Sequence, residues 1–300
     1  MTDRNRMNKS TDIDLPREIA PGVHYREIGK GISRSNVYFV RSGSSWVLVD
    51  AASANYGMLI QRMAESLFGA DRRPVSILLT HYHPDHAGSA LELAHMWDCP
   101  VYMHPDELPL AVNRDLSTVK RYANPLDRWL ILPLLRLMPR RRVESMLSRD
   151  SLKGVAQPFD PGAAVPGLPD WEFIQTPGHT PGHIAILRTT DRVLITGDAV
   201  VTANLNSLPG VVSWALRMNK QRVSGPPWYS TWNRQAAKKS VAVLAGLEPH
   251  VLASGHGVPM TGEETVRELH VLAYSFSRPA TGKNADRGDL RPEREERNQR

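Results

Sequence analysis

A chain of 300 residues with 41% hydrophobic and 23% charged content is long enough for one large domain or two small ones around a sizeable core, which excludes a disordered or fibrous protein. Its formal charge of +6 gathers in Arg140, Arg141, Arg142 and the arginine-rich end, so it does not describe a nucleic-acid-binding face. No stretch reaches the ~20 apolar residues of a membrane-spanning helix, and no apolar secretory signal is evident.

Residues 1–20 are polar, carry both charge signs and read as a flexible leader. Short strands follow at Asn36 to Val40 and Trp46 to Val49, then a helix at Gly57 to Phe68 and an apolar strand at Val75 to Leu79. A helix is expected over Ser89 to Trp97 and a strand over Val101 to Met103. Cys99 cannot form an internal disulfide and reads as core packing in a reducing compartment, the cytoplasm. The segment 105–157 interrupts the rhythm as a helical insertion. Strands resume at Trp171 to Gln175, Ile184 to Arg188, Val193 to Thr196 and Val251 to Ser254, with helices at Gln235 to Leu247 and Glu263 to Phe276. Each half thus supplies strands and covering helices, which suggests two packed sheets with helices outside in one domain, residues 21–277. The tail 278–300 has almost nothing to bury and is expected to be disordered.

The chemistry sits where strands end. Strand Val75 to Leu79 runs into Thr80-His81-Tyr82-His83-Pro84-Asp85-His86. Alternate residues of an extended chain share a face, so His81 and His83 point the same way. Pro84 breaks the strand and brings Asp85 and His86 to the turn into the next helix. Imidazole and carboxylate donors suit zinc, with iron or manganese as alternatives, and no thiolate is at hand for a closed structural site. Three more ligand types stand beside turn glycines at strand ends: His179 in TPGHTPGHI, Asp198 in LITGDAV and His256 in LASGHG. His24, His95, His104, His183, His250 and His270 are taken as structural or exposed.

With VLVD ending at Asp50, THYHPDH at 80–86, PGHT around His179, GD at Asp198 and GHG around His256, the chain resembles the metallo-β-lactamase fold superfamily, in its branch of dinuclear hydrolases akin to glyoxalase II and the lactonases, over about residues 21–262. The resemblance implies an α/β fold of four layers, αββα, with two mixed sheets inside and helices outside. It implies two divalent ions: His81, His83 and His179 at the first, Asp85, His86 and His256 at the second, and Asp198 between them, with Asp85 and Asp198 as the carboxylates of the reaction centre. Asp50 would orient ligands or cap its strand. A water between two such ions titrates near ~7, so the expected reaction is attack of the resulting hydroxide on the carbonyl of a small ester, lactone or thioester. The alternatives are a phosphodiesterase or nuclease of the same superfamily and a catalytically silent metal-binding protein. Within the family pattern, GHGVP and GDAVV replace the GHEY and GDTLF of glyoxalase II, and Val201 stands where lactonases of the best-known type carry a tyrosine.

The expected partner is a small molecule rather than a specific nucleic acid, and oligomeric state is left open, a dimer included. Trp214, Trp228, Tyr229 and Trp232 follow Asp198 in an aromatic-rich stretch and are the expected walls of the substrate pocket. In the insertion, WLILPLLRLM and the arginines after it (125–142) can serve as core helices, as a lid, or as a weak contact with an anionic membrane surface.

Overall fold

The computed structural model describes residues 15–277 except 114, 150, 161 and 219, so the tail 278–300 and most of the leader lie outside the described residues. The chain enters a seven-stranded sheet through β1 (Arg17–Ala20), β2 (Val23–Ile28), β3 (Ser35–Ser42) and β4 (Ser45–Val49), all antiparallel, and continues with β5 (Ser76–Leu78), β6 (Val101–Met103) and β7 (Ala156–Pro158), all parallel. A second sheet of five holds β8 (Trp171–Gln175), β9 (Ile184–Arg188), β10 (Val193–Gly197), β11 (Val251–Ser254) and β12 (Met260–Thr261), with β10 and β11 parallel and the other pairs antiparallel.

Period-two alternation explains the layering. From the first sheet, Tyr38, Val40, Val47, Val49 and Leu78 meet Ile184, Ile186, Val193, Ile195 and Val251 of the second in one buried cluster. The residues between them turn outward. Val37, Phe39, Leu48 and Ile77 pack under helices α1 (Gly57–Phe68) and α3 (Ala90–Trp97), the latter following the four-residue α2 (Pro84–Ala87). On the far side, Ala185, Leu187, Leu194 and Leu252 pack under α9 (Arg234–Gly246) and α10 (Glu263–Ser277). The expected four-layer αββα sandwich is therefore what the chain builds, and each fully buried aliphatic side chain contributes about 1.5–3 kcal/mol relative to exposure. Cys99 lies in the first helical layer, where burial pushes its thiol up to about 11, as befits a packing residue.

Two expected boundaries move. Arg17–Ala20, assigned to the leader, is the edge strand β1. With one large apolar residue it carries little strand signal, and it pairs because Gly22, at φ 71°, lets the chain reverse directly into β2. The insertion is also shorter than 105–157. Ala111 and Leu152 belong to the main core and β7 completes the first sheet, so both ends of that segment are part of the sandwich. Only its middle stands apart: α5 (Leu116–Arg121), a π-helical turn (Asp127–Ile131), α6 (Leu132–Arg136) and α7 (Arg140–Arg149), around a small core of Leu135, Val143 and Leu147. Before it runs α4 (Leu108–Val112), and α8 (Leu208–Ala215) follows β10. Among the described residues no helix is long and apolar enough to cross a membrane.

Candidate metal centre

Four strands deliver their polar groups just beyond their ends: Asp50 after β4, the 80–86 turn after β5, Asp198 after β10 and His256 after β11. His179 comes from the loop between β8 and β9. This places all seven expected ligand residues together. His83 Nδ1 lies 3.1 Å from His81 Nε2 and 2.9 Å from His179 Nε2. His256 Nε2 lies 3.3 Å from Asp85 Oδ2, and His86 Nε2 is 3.9 Å from the same oxygen. The Asp198 carboxylate reaches both groups, 3.4 Å from His179, 3.4 Å from His86 and 3.2 Å from His256. Three sets of donor atoms, His81/His83/His179, His81/His86/Asp198 and Asp85/His86/His256, converge closely enough to share an ion.

The backs of four of the five rings are pinned, which fixes the nitrogen that faces the centre. Asp50 Oδ2 accepts from His86 Nδ1 at 2.8 Å, while Oδ1 accepts from the Thr80 amide at 2.8 Å. Asp50 thus fastens the turn and aims His86, although its backbone stands at φ 61°. The Arg34 carbonyl accepts from His256 Nδ1 at 2.6 Å. Thr80 and Thr231 hydroxyls lie 3.0 Å and 3.3 Å from the Nδ1 atoms of His81 and His179. Asn36 and Tyr38 on β3 both donate to the Ser254 carbonyl, and Asn36 donates also to that of Gly257, holding the His256 loop across the two sheets. That loop needs Gly255, since a Cβ there would stand 2.1 Å from Asp198 Oδ1 and 2.7 Å from His86 Cε1.

Two positioning residues stand outside the expected ligand set, Glu107 with no recognisable signal of its own and His183 within the GHTPGH pattern. Glu107 is fully buried and accepts from the Tyr82 amide through Oε2 and the Gly182 amide through Oε1, both at 2.7 Å, so one carboxylate ties together the loops that carry His83 and His179. Burial pushes its carboxyl up and the amide donors pull it back. His183, taken as structural, accepts from the Asp198 amide at 3.0 Å through Nε2, with Thr176 at 2.7 Å from its Nδ1. Burial holds that ring down to about 3, so it stays neutral and able to accept.

Electrostatics favour a cation here. Burial holds His81 and His179 well below the usual imidazole range and lowers His83. For His86 and His256 burial opposes charging but is outweighed by Asp198 and the other carboxylates, so His86 is raised well above its ordinary value and His256 up to about 10. Burial likewise opposes the charge on Asp198, yet His256 and His86 hold its carboxyl well below the usual range. The acids thus demand positive charge. His86 Nε2 and Asp198 Oδ1 are buried without a hydrogen bond, at a cost that a divalent ion would remove while displacing the protons. The donor set fits such ions, since imidazole nitrogens and carboxylate oxygens converge in threes and no thiolate stands among them.

The expected pocket aromatics separate. Trp232 lines a cleft of about 120 Å3 with His83, His179, Tyr82 and, from the opposite wall, Val119, Tyr122, Asn124 and Asp127. Tyr229 is near enough for Asp198 and Asp85, after burial, to raise its phenol to about 12. Trp214 does not line the cleft: it is the one buried residue of α8, packed with Ala203 and Leu205, edge-on to His256 at 6.0 Å and under the Arg34 guanidinium. Trp228 also stands outside the cleft. It is 48% exposed and lines a separate cavity of about 430 Å3 with Asn206 and Phe276.

Residues 31–256 match the sequence profile of the metallo-beta-lactamase superfamily. The probable metallo-hydrolase YflN of Bacillus subtilis (strain 168) is 36% identical over 263 residues, which span 87% of this chain and 93% of that protein. Among solved structures, the metallo-beta-lactamase family protein TTHA1429 from Thermus thermophilus superposes with a TM-score of 0.58 at 20% identity, over 86% of this chain and 79% of that one. AidC, a dizinc quorum-quenching lactonase solved with its product N-hexnoyl-L-homoserine, superposes with a TM-score of 0.51 at 15% identity, over 74% and 72% of the two chains. At those identities the structural likeness speaks for the fold. Together with the profile match and the YflN relationship, the His/Asp centre at the strand ends identifies this chain as a hydrolase of the metallo-beta-lactamase superfamily.

Proposed function

We propose that the chain binds two divalent ions, zinc by the character of its donors with iron or manganese also accommodated, and hydrolyses a small ester, lactone or thioester that has an apolar portion. His81, His83 and His179 would hold one ion and Asp85, His86 and His256 the other. The observation that carries this reading is Asp198, whose carboxylate stands within 3.4 Å of a histidine of each set. When bound, such ions supply Lewis acidity and bring a water's pKa down toward ~7.

The chain's own residues do the rest. Asp50 and the Arg34 carbonyl keep Nε2 of His86 and His256 directed at the centre. His183, by accepting the Asp198 amide, holds the backbone from which that carboxylate projects. Burial of the cradle leaves these charges unscreened and therefore strong. Specificity falls to the cleft, where Tyr82, Leu110, Val119, Tyr122 and Trp232 give apolar walls, and Asn124 and Asp127 give polar groups. Among the described residues no lysine or arginine lines it. Beyond the ions, a phosphodiester would meet the Asp127 carboxylate there with no lysine or arginine side chain beside it, whereas a neutral carbonyl compound meets no such repulsion. The lactone chemistry of AidC is compatible with the same cleft.

The test is to compare kcat/KM for an aryl ester, a lactone, a thioester and bis-nitrophenyl phosphate on one metal-loaded preparation. Turnover of a carbonyl substrate at least about tenfold above the phosphodiester is expected, on the order of a single misplaced charge. Preference for the phosphodiester would overturn the assignment.

A further inference from the structure

The middle of the inserted segment shows an arrangement that the hydrolytic chemistry does not use. Leu132 and Leu135 are buried, yet Trp129 is 85% and Leu137 is 84% exposed, and Leu130 and Leu134 are each more than half exposed. The π-helical turn before Pro133 widens the helix and lets four large apolar side chains leave the packed face between Trp129 and Leu137. Surfaces of globular proteins rarely concentrate apolar side chains in this way without a partner.

The charge around the tip says what the partner is. Arg136, Arg140, Arg141 and Arg142 are exposed beside Leu137. Arg140 pairs with Glu144, and Arg136, Arg141 and Arg142 have no ion-pair partner among the described residues. Of the acids on this stretch, Asp127 turns toward the metal cleft. An apolar tip ringed by guanidinium groups matches the boundary of an anionic bilayer, where Trp and Leu enter the acyl region and arginine meets phosphate. A protein partner of ordinary composition offers no such row of negative charge.

We propose that residues 126–142 dock the protein on the surface of an anionic phospholipid membrane. The segment supplies Asp127 to the cleft and the residues just before it supply Tyr122 and Asn124, and Asp127 lies close before Trp129 in the chain. Docking therefore brings the mouth of the cleft to the lipid surface, where an apolar substrate partitions. The proposal stands apart from the carbonyl reading, because it is tested by binding rather than turnover.

The experiment uses the full chain, metal-loaded, with large unilamellar vesicles of phosphatidylglycerol and phosphatidylcholine or of phosphatidylcholine alone. Co-sedimentation with the anionic vesicles at low salt, weakening as salt rises and absent with phosphatidylcholine alone, is expected. Replacing Arg140, Arg141 and Arg142 by Gln should weaken binding by about a hundredfold at low salt, and Trp129→Glu with Leu137→Glu should abolish it. Both variants alter exposed side chains, and an unchanged melting temperature and unchanged turnover of a soluble ester verify their fold. Failure to bind anionic vesicles, or binding that both variants leave intact, would overturn the proposal. So would a dimer in light scattering that Trp129→Glu converts to monomer, which would assign the patch to a second copy of the chain.

Discussion

Across the cleft, two walls meet that are held together in different ways. On the cradle side His86 is fixed by Asp50, His256 by the Arg34 carbonyl, Asp198 by His183 and the two histidine loops by Glu107, all of them buried. On the facing side Val119, Tyr122, Asn124 and Asp127 ride on short helices whose own core is Leu135, Val143 and Leu147 with a few partly buried neighbours. Under the proposed function, reactive geometry is set where the side chains are tied down by partners, and substrate choice where the scaffold is thin. Substitutions in the cradle should act on kcat and metal content, and those in the wall on KM.

The largest effect is expected at Asp198, the carboxylate near both histidine sets. Asp198→Ala should lower kcat/KM by about a thousandfold and cost bound metal, because the shared ligand and its charge disappear together; elemental analysis beside steady-state kinetics reads both. Asp50→Asn keeps the shape but no longer accepts strongly from His86, and a loss of about 10–100-fold in activity or metal affinity is expected. A loss as severe as that of Asp198→Ala would show that Asp50 does more than orient.

Glu107→Gln puts an NH2 group against one of two amide donors, leaving a buried donor unmet, at about 1–3 kcal/mol of stability. A fall in Tm with KM little changed would place Glu107 in the cradle's frame; a change in KM alone would place it in the wall. His183 gives a pH signature. Its ring is held at about 3 in the fold against an ordinary 6.5, so the neutral form is the one the fold keeps. Its stabilisation is fully present above about pH 6.5 and is lost as pH falls toward about 3. His183→Gln should flatten the decline of Tm with acid in that window, and identical slopes in the two proteins would contradict the role. Smallest of all, Trp232→Ala should raise KM for an apolar ester by about tenfold, the equivalent of roughly 1–2 kcal/mol of lost contact, with kcat nearly unchanged.

The same contrast governs what could be read in the sequence. Donors at strand ends are legible because strand periodicity and turn residues are local, so His81 through His86, His179, Asp198 and His256 stand out with no structure in hand. The β-branched runs around them reveal the strands for the same reason. Glu107 and Arg34 were not legible: a lone Glu after His-Pro-Asp and a backbone carbonyl before β3 acquire meaning only when distant loops close upon them. Edge strands β1 and β7 escaped because four or three residues with few apolar side chains carry little periodicity. The aromatics after Asp198 show the opposite failure. Their composition suits a pocket, yet Trp214 lies edge-on to His256 and Trp228 lines a neighbouring cavity, because their direction is set by tertiary contacts that spacing does not encode.

A single cradle that holds two ions around Asp198, both of them needed for hydrolysis, is tested most directly by adding Zn2+ stepwise to chelator-treated protein while following bound metal and turnover of the best carbonyl substrate together. Binding should saturate at about two ions per chain, with activity rising mainly as the second ion enters. Full activity at one ion per chain, with no further binding, would contradict it.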